Sequence, residues 1–223
     1  MKREIIITSD GSTTIHLPDW NEQYHSKHGA IQEAYHVFIK NGLEFFSKSS
    51  ISILEIGFGT GLNAYITFLE AQKKNLSVNY VGIEAYPVST NEIEKLNYVE
   101  ELQSLNFKST FERMHECPWE EEVMIFDDFT LSKRNQFFHK IEDEHCYDLI
   151  YFDAFGARVQ PDLWTEEIFA KMFSALNEKG ILVTYSAKGS VRRAMQAVGF
   201  AVERLPGPPG KREMLRGVKE SIR

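Results

Sequence analysis

From residue 51 onward, short apolar runs alternate with longer stretches in which apolar side chains recur every three or four positions. A parallel sheet with crossover helices reads this way, because strands buried on both faces carry continuous apolar runs while the covering helices need one apolar stripe. The expected strands are Ile51–Ile56, Val78–Ile83, Val123–Phe126, Tyr147–Phe152, Ile181–Tyr185, Ala201–Leu205 and Arg212–Val218. Leu62–Ala71 and Asn91–Leu105 have helical spacing, and Thr165 caps a third helix running from Ile168 to Leu176 and closing at Lys179-Gly180. Ahead of these elements, Ile5–Thr8 and Thr13–Leu17 flank Asp10-Gly11, a hairpin signal. A helical pattern follows, with Ile31, Ala34, Tyr35 and Phe38 on one side. The pattern predicts an α/β fold in one domain, 1–223, with a small β-hairpin/helix extension over 1–48. The core over 49–223 is expected to be Rossmann-like, a mostly parallel seven-stranded sheet with helices on both faces.

Composition changes this picture little. Hydrophobic residues make up 43% and charged residues 26%, ordinary values for a chain able to bury its own core. Cys117 and Cys146, the only cysteines, cannot build a disulfide framework or a zinc site. No apolar run reaches membrane length, so a cytoplasmic protein without membrane or metal partners is expected. The net charge of −7 argues against a protein that coats nucleic acid. Its distribution is uneven, because from Lys188 to Arg223 nine basic residues face three acids. Either this is a solvated basic tail, or Lys188, Arg192, Arg193, Lys211 and Arg212 meet phosphates.

The candidate chemistry centres on Glu55-Ile56-Gly57-Phe58-Gly59-Thr60-Gly61, between the first core strand and its helix. Glycines at alternate positions let the backbone approach a ligand, and the helix start offers free amides. A dinucleotide fingerprint would place its third glycine at position 62, which is Leu62. Glu55 suits a ligand with a cationic amino-acid end better than one presenting phosphates there. Glu84 ends the second strand and can accept from both ribose hydroxyls, Asp128 is placed to accept from an adenine amine, and Asp153 ends the fourth strand. Acids at successive strand tips would share one rim, and with the glycine loop they describe a nucleoside site.

Tyr24-His25-Ser26 with Gly29 and Glu33, the Glu55–Gly61 loop, Asp153-Ala154-Phe155 through Trp164-Thr165, and the closing Lys211-Arg212-Glu213-Met214-Leu215 resemble the methyltransferase domains of the MnmC tRNA-modification family. The resemblance covers about Tyr24 to Gly217 and departs at Gly156-Ala157, where the family often has Ala-Pro. It implies a class I S-adenosylmethionine-dependent methyltransferase fold, S-adenosyl-L-methionine as methyl donor and tRNA as partner. The activity it implies is N-methylation of the primary amine of 5-aminomethyl-(2-thio)uridine at the wobble position. It places Tyr24, Glu33, Glu55, Gly57, Gly59, Gly61, Glu84, Asp128 and Asp153 at the cofactor. Because the chain ends at Arg223 without the family's flavin-dependent oxidase domain, a separate enzyme is expected to supply the amine.

An in-line displacement needs an aligned nucleophile more than acid–base machinery, and a carboxylate beside the amine would take up its developing charge. Asp153 is the candidate catalytic residue, and Phe155 and Trp164 are expected at the substrate pocket, with helix-start packing the alternative for Trp164. Neither cysteine stands where a base-carbon methyltransferase needs its nucleophile. Asp153-Ala154-Phe155-Gly156 also lacks the Pro-Pro motif of enzymes that methylate aromatic amines. His25-x-x-His28 lacks further ligands, and Phe45, Phe46, Phe137 and Phe138 read as core. Competing readings are a small-molecule N-methyltransferase or aminopropyltransferase, and a non-catalytic nucleoside-binding subunit.

Overall fold

The computed structural model describes residues 2–221, so Arg223, the last basic residue of the C-terminal count, lies outside the described residues. At its centre, β4 (Ser50–Ile56) pairs in parallel with β5 (Ser77–Ile83) on one side and β8 (Tyr147–Phe152) on the other. These strands are central because both faces are buried: Ile53, Leu54, Ile56, Leu149, Ile150, Tyr151 and Phe152 are all removed from solvent. The parallel array continues through β7 (Phe129–Arg134) beyond β5 and β9 (Leu176–Thr184) beyond β8. Antiparallel strands finish both edges, β6 (Glu122–Phe126) on β7, then β11 (Glu213–Val218) on β9 with β10 (Ala201–Pro206) outermost. The strand order is β10-β11-β9-β8-β4-β5-β7-β6. Chain progression reverses beside β4, so a crevice opens at the carboxyl ends of β4 and β8.

The sheet has eight strands rather than seven. The unanticipated one is β7, whose Thr130, Ser132, Lys133 and Arg134 look like surface. Its alternation is nevertheless that of a strand, since Phe129, Leu131 and Lys133 all point inward, and the Lys133 ammonium donates to the His115 carbonyl at 2.6 Å. The helix expected over 91–105 breaks into α3 (Thr90–Ile93) and α4 (Tyr98–Glu101). Asn97 interrupts it because its side-chain oxygen accepts from Thr13 N and Oγ1, at 2.8 and 3.0 Å, pinning this segment to the N-terminal sheet. The longer helix is α5 (Lys108–Glu116). After α6 (Glu166–Ala175) the chain enters β9 at once. Lys179, with φ +63, and Gly180 therefore sit in a β-bulge, not at a helix cap. A further helix, α7 (Gly189–Ala197), carries Arg192 and Arg193.

The N-terminal extension is a three-stranded antiparallel sheet, β1 (Glu4–Ile7), β2 (Thr13–Leu17) and β3 (Glu22–Gln23), followed by the expected helical segment, α1 (Ala30–Ala34) running on into a π-helical stretch, Tyr35–Lys40. Its first turn is longer than a two-residue hairpin, since Ile7 pairs with Thr13. Asp10 closes the turn by accepting from Thr8 Oγ1 at 2.7 Å and from the Ser12 amide at 3.2 Å.

Candidate functional site

A cavity of about 990 Å³ opens at the carboxyl ends of β4, β5 and β8. Gly57–Thr60, Leu62 and Asn63 form its floor, Glu84–Pro87 and Phe137–His139 one wall, and Asp153–Phe155 with Gln160 and Leu163 the other. Arg3, Leu17, Trp20, Tyr24 and His25 roof it, so the N-terminal extension is part of the site.

The amides of Gly57 and Phe58 both donate to the Ile83 carbonyl at 3.0 Å, which bends the loop around the tip of β5. Gly57 has φ +91, and a Cβ there would lie 2.8 Å from the Asp153 carbonyl. Gly59 has φ +50, and a Cβ would meet the Tyr24 ring at 3.1 Å. Side chains at these positions would be strained and would fill the floor. Gly61 differs from expectation: it starts α2 (Leu62–Lys74), does not border the cavity, and packs against His115. At the rim, Glu84 accepts from the Gly59 amide at 3.1 Å and the Tyr86 amide at 2.9 Å, which fixes its carboxylate over the loop.

Asn63, in the first turn of α2, joins two acids. Its amide nitrogen donates to Asp153 Oδ2 at 2.9 Å and Glu55 Oε1 at 2.8 Å, while Tyr80 donates to Glu55 Oε2 at 2.8 Å. Both bonds use the same amide nitrogen, and Asn63 Oδ1 is left as a buried acceptor without a partner at the cavity floor. Glu55 is fully buried and does not border the cavity, so Asn63 stands between it and that space. Burial pushes its carboxyl well above the usual range. Asp153 does border the cavity. Burial raises it to about 7 and the negative Glu33 adds to the rise, while the Asn63 hydrogen bond and the Lys211 charge oppose it.

Glu33 is buried outside the cavity. One oxygen accepts from the Ser26 amide at 2.9 Å and the other is ion-paired with Lys211, so Glu33 ties the Tyr24–Ser26 wall to the C-terminal hairpin. Lys211 also lies 3.9 Å over the Tyr185 ring, whose hydroxyl donates to the Ala154 carbonyl at 2.8 Å. Its ammonium is therefore occupied by an ion pair and an aromatic ring and does not stand free on the surface. Lys188, Arg193 and Arg212 are exposed, and Arg192 is half-buried.

Two further expectations fail on geometry. Trp164 is buried and does not border the cavity; its indole donates to the Phe155 carbonyl at 2.8 Å and packs on Phe152. Asp128 is exposed at φ +61 in the turn before β7, and its carbonyl accepts from Val78 near the start of β5. It thus occupies the rim opposite the glycine loop. Once β7 is recognised, the segment reaching the cavity beside Glu84 is Phe137–His139. Phe137, expected in the core, is half-exposed there, edge-on to Tyr86 at 5.9 Å and stacked on His139 at 5.6 Å. Phe138 is buried as expected. Sequence reasoning also missed Asn63, eight residues after Glu55 on the first turn of the helix. His25 bonds Thr14 Oγ1 through Nδ1 at 2.9 Å, and burial lowers it to about 4, so it is neutral near pH 7.

Comparison with known proteins gives a consistent result. Residues 106–220 match the family described as S-adenosyl-L-methionine-dependent methyltransferase. The tRNA 5-methylaminomethyl-2-thiouridine biosynthesis bifunctional protein MnmC of Hydrogenovibrio crunogenus is 28% identical over 212 residues, covering 89% of this chain and 31% of that protein. Its counterpart in Pseudomonas syringae pv. tomato is 28% identical over 224 residues, covering 89% and 32%. The chain thus spans about a third of the length of these curated relatives. Among solved structures, MNMC2 from Aquifex aeolicus superposes with a TM-score of 0.79 at 25% identity, covering 99% of this chain and 71% of that one. Spermidine synthase from Thermotoga maritima, at 14% identity and a TM-score of 0.56, shares the fold.

Proposed function

This chain belongs to the S-adenosyl-L-methionine-dependent methyltransferase family, and from that premise we propose that it methylates the primary amine of 5-aminomethyl-(2-thio)uridine at the tRNA wobble position. S-adenosyl-L-methionine is its cofactor and supplies a methyl group already activated on a sulfonium. The residues present fit this donor. Gly57 and Gly59 leave the floor open to a close ligand, Glu84 suits the ribose hydroxyls, and the unpartnered Asn63 Oδ1 suits the ammonium of the amino-acid end. Tyr86 and Phe137 offer apolar surface for a purine. In this reading residues 49–223 form the catalytic core, and the first 48 residues complete its site.

The observation that carries the substrate reading is Asp153, a carboxyl held at about 7 on the wall across from Glu84, next to Phe155 and below Tyr24. An alkylamine enters water largely as an ammonium ion, with a pKa of about 10 by analogy with lysine. A carboxylate titrating near neutrality can pair with it, orient its lone pair and accept its proton. MnmC relatives named for tRNA 5-methylaminomethyl-2-thiouridine biosynthesis support the nucleoside substrate, and the exposed Lys188, Arg193 and Arg212 give tRNA phosphates a basic surface. The test is to incubate the protein and donor with bulk tRNA carrying 5-aminomethyl-(2-thio)uridine, digest to nucleosides and analyse by mass spectrometry. A gain of one methyl on that nucleoside is expected. Methylation of a small diamine with none on tRNA would replace this reading with the small-amine one.

A further inference from the structure

Trp20 enters none of the assignments above, yet it borders the cavity at the Asp153 end. It closes the 3-10 turn Pro18–Trp20, whose first position is fixed by proline and whose exit is Asn21 in the left-handed region, at φ +47. The Trp20 ring stands 5.8 Å from that of Phe155 at an interplanar angle of 87°, and Tyr24 stands 5.0 Å from Phe155 at 86°. Three rings in edge-to-face contact form a corner, not a closed stack. The corner is held from both sides. Trp164 pins the Phe155 carbonyl at 2.8 Å, while Arg158 Nη2, three residues beyond Phe155, donates to the Trp20 and Asn21 carbonyls and pairs with Glu22, each at 3.1 Å.

We propose that Trp20 is a base-recognition residue: with Phe155 it forms the aromatic corner that receives the nucleobase bearing the amine, and Arg158 locks this corner to the loop that carries Asp153. The inference rests on the nucleoside reading above and identifies which part of the cavity selects it. A planar base in such a corner lies flat on one ring and meets the edge of the next, the arrangement aromatic quadrupoles favour. Single-stranded bases are held by aromatic stacking in this way because every base has a π-face. The same rings attract an alkylammonium, which directs the charged arm of the base towards Asp153. Tyr24 sits over Gly59 on the donor side, which leaves Trp20 as the ring that distinguishes a nucleobase substrate from a small aliphatic amine.

The chain contains three tryptophans, Trp20, Trp119 and Trp164, and only Trp20 borders the cavity. Binding of an anticodon stem-loop with 5-aminomethyluridine at the wobble position, in the presence of S-adenosylhomocysteine, should therefore quench tryptophan emission in the wild type. In Trp20→Phe that quench should disappear while filter binding still detects the complex. Trp20→Ala should raise KM for the stem-loop on the order of tenfold to a hundredfold, with donor affinity within about twofold of wild type and Trp20→Phe recovering most of the loss. A quench that persists in Trp20→Phe, or an unchanged KM in Trp20→Ala beside a working wild type, overturns the role of Trp20 alone. A wild type that transfers no methyl to this stem-loop removes the nucleoside reading, and the role of Trp20 with it.

Discussion

The two ends of the cavity are built differently. The donor end draws mainly on one stretch of chain, to which Tyr24 and Phe137 add walls: the glycine loop follows β4, Glu84 follows β5, and backbone hydrogen bonds from Gly59 and Tyr86 fix the carboxylate. The amine end is assembled from distant segments, with Trp20 and Glu33 near the N-terminus, Asp153 and Phe155 in the middle and Lys211 near the C-terminus. The proposed donor, a nucleoside common to many enzymes, would be held largely by local backbone geometry. In the proposed reading the amine is held by side chains that only the complete fold brings together; burial raises the Asp153 carboxyl, and the opposed charges of Glu33 and Lys211, paired between the two terminal regions, adjust it.

Disturbing the donor end should have the largest effect. Gly59→Val places a β-branched residue at φ +50 with its Cβ against the Tyr24 ring. Donor affinity measured by calorimetry should fall roughly a hundredfold or more, because positive-φ strain and lost backbone approach act together. Retention of affinity would mean that the loop does not touch the donor.

Lys211→Met addresses the other end and should have an intermediate effect. The Lys211 charge lowers Asp153, so removing it should raise that carboxyl further, and the rise of kcat/KM with pH, centred near 7 in the wild type, should move to higher pH. In the proposed reaction the ionised carboxylate is the active form, and with its pKa raised it is lost sooner as pH falls. Glu33→Gln should move the same limb lower, since Glu33 opposes ionisation. Identical shifts in both variants, or none, would disconnect the ion pair from Asp153.

Asp128→Ala should do nothing: donor affinity should stay within about twofold of wild type, because a solvated turn acid on the opposite rim touches no ligand. A loss of tenfold or more would put this acid back at the donor.

These cases also show what was legible in the sequence. The central strands, and the meeting of the glycine loop, Glu84 and Asp153 at one cavity, could be read because continuous apolar runs mark buried parallel strands whose carboxyl ends share a rim. Asp128 lies on the other rim, which the sequence hid because Lys133 disguised β7 as surface, so that antiparallel β6 took its place as the parallel neighbour of β5 and the acid after it read as a carboxyl-end residue. Glu55 was recognised as special, but sequence could not show that Asn63 stands between it and the cavity. Lys211 read as a free cation because its partner, Glu33, lies at the other end of the chain. Trp164 carries an apolar ring in either role, and only its hydrogen bond to the Phe155 carbonyl decided between packing and pocket wall.

The division of labour is tested most directly by Asp153→Asn, measured for donor affinity by calorimetry and for turnover across pH on aminomethyl-uridine tRNA. Donor affinity should remain within a few-fold of wild type, while kcat should fall on the order of a hundredfold and the pH-dependent limb near 7 should vanish. A parallel loss of donor affinity and turnover, or a limb that survives the substitution, would contradict the assignment of Asp153 to the amine.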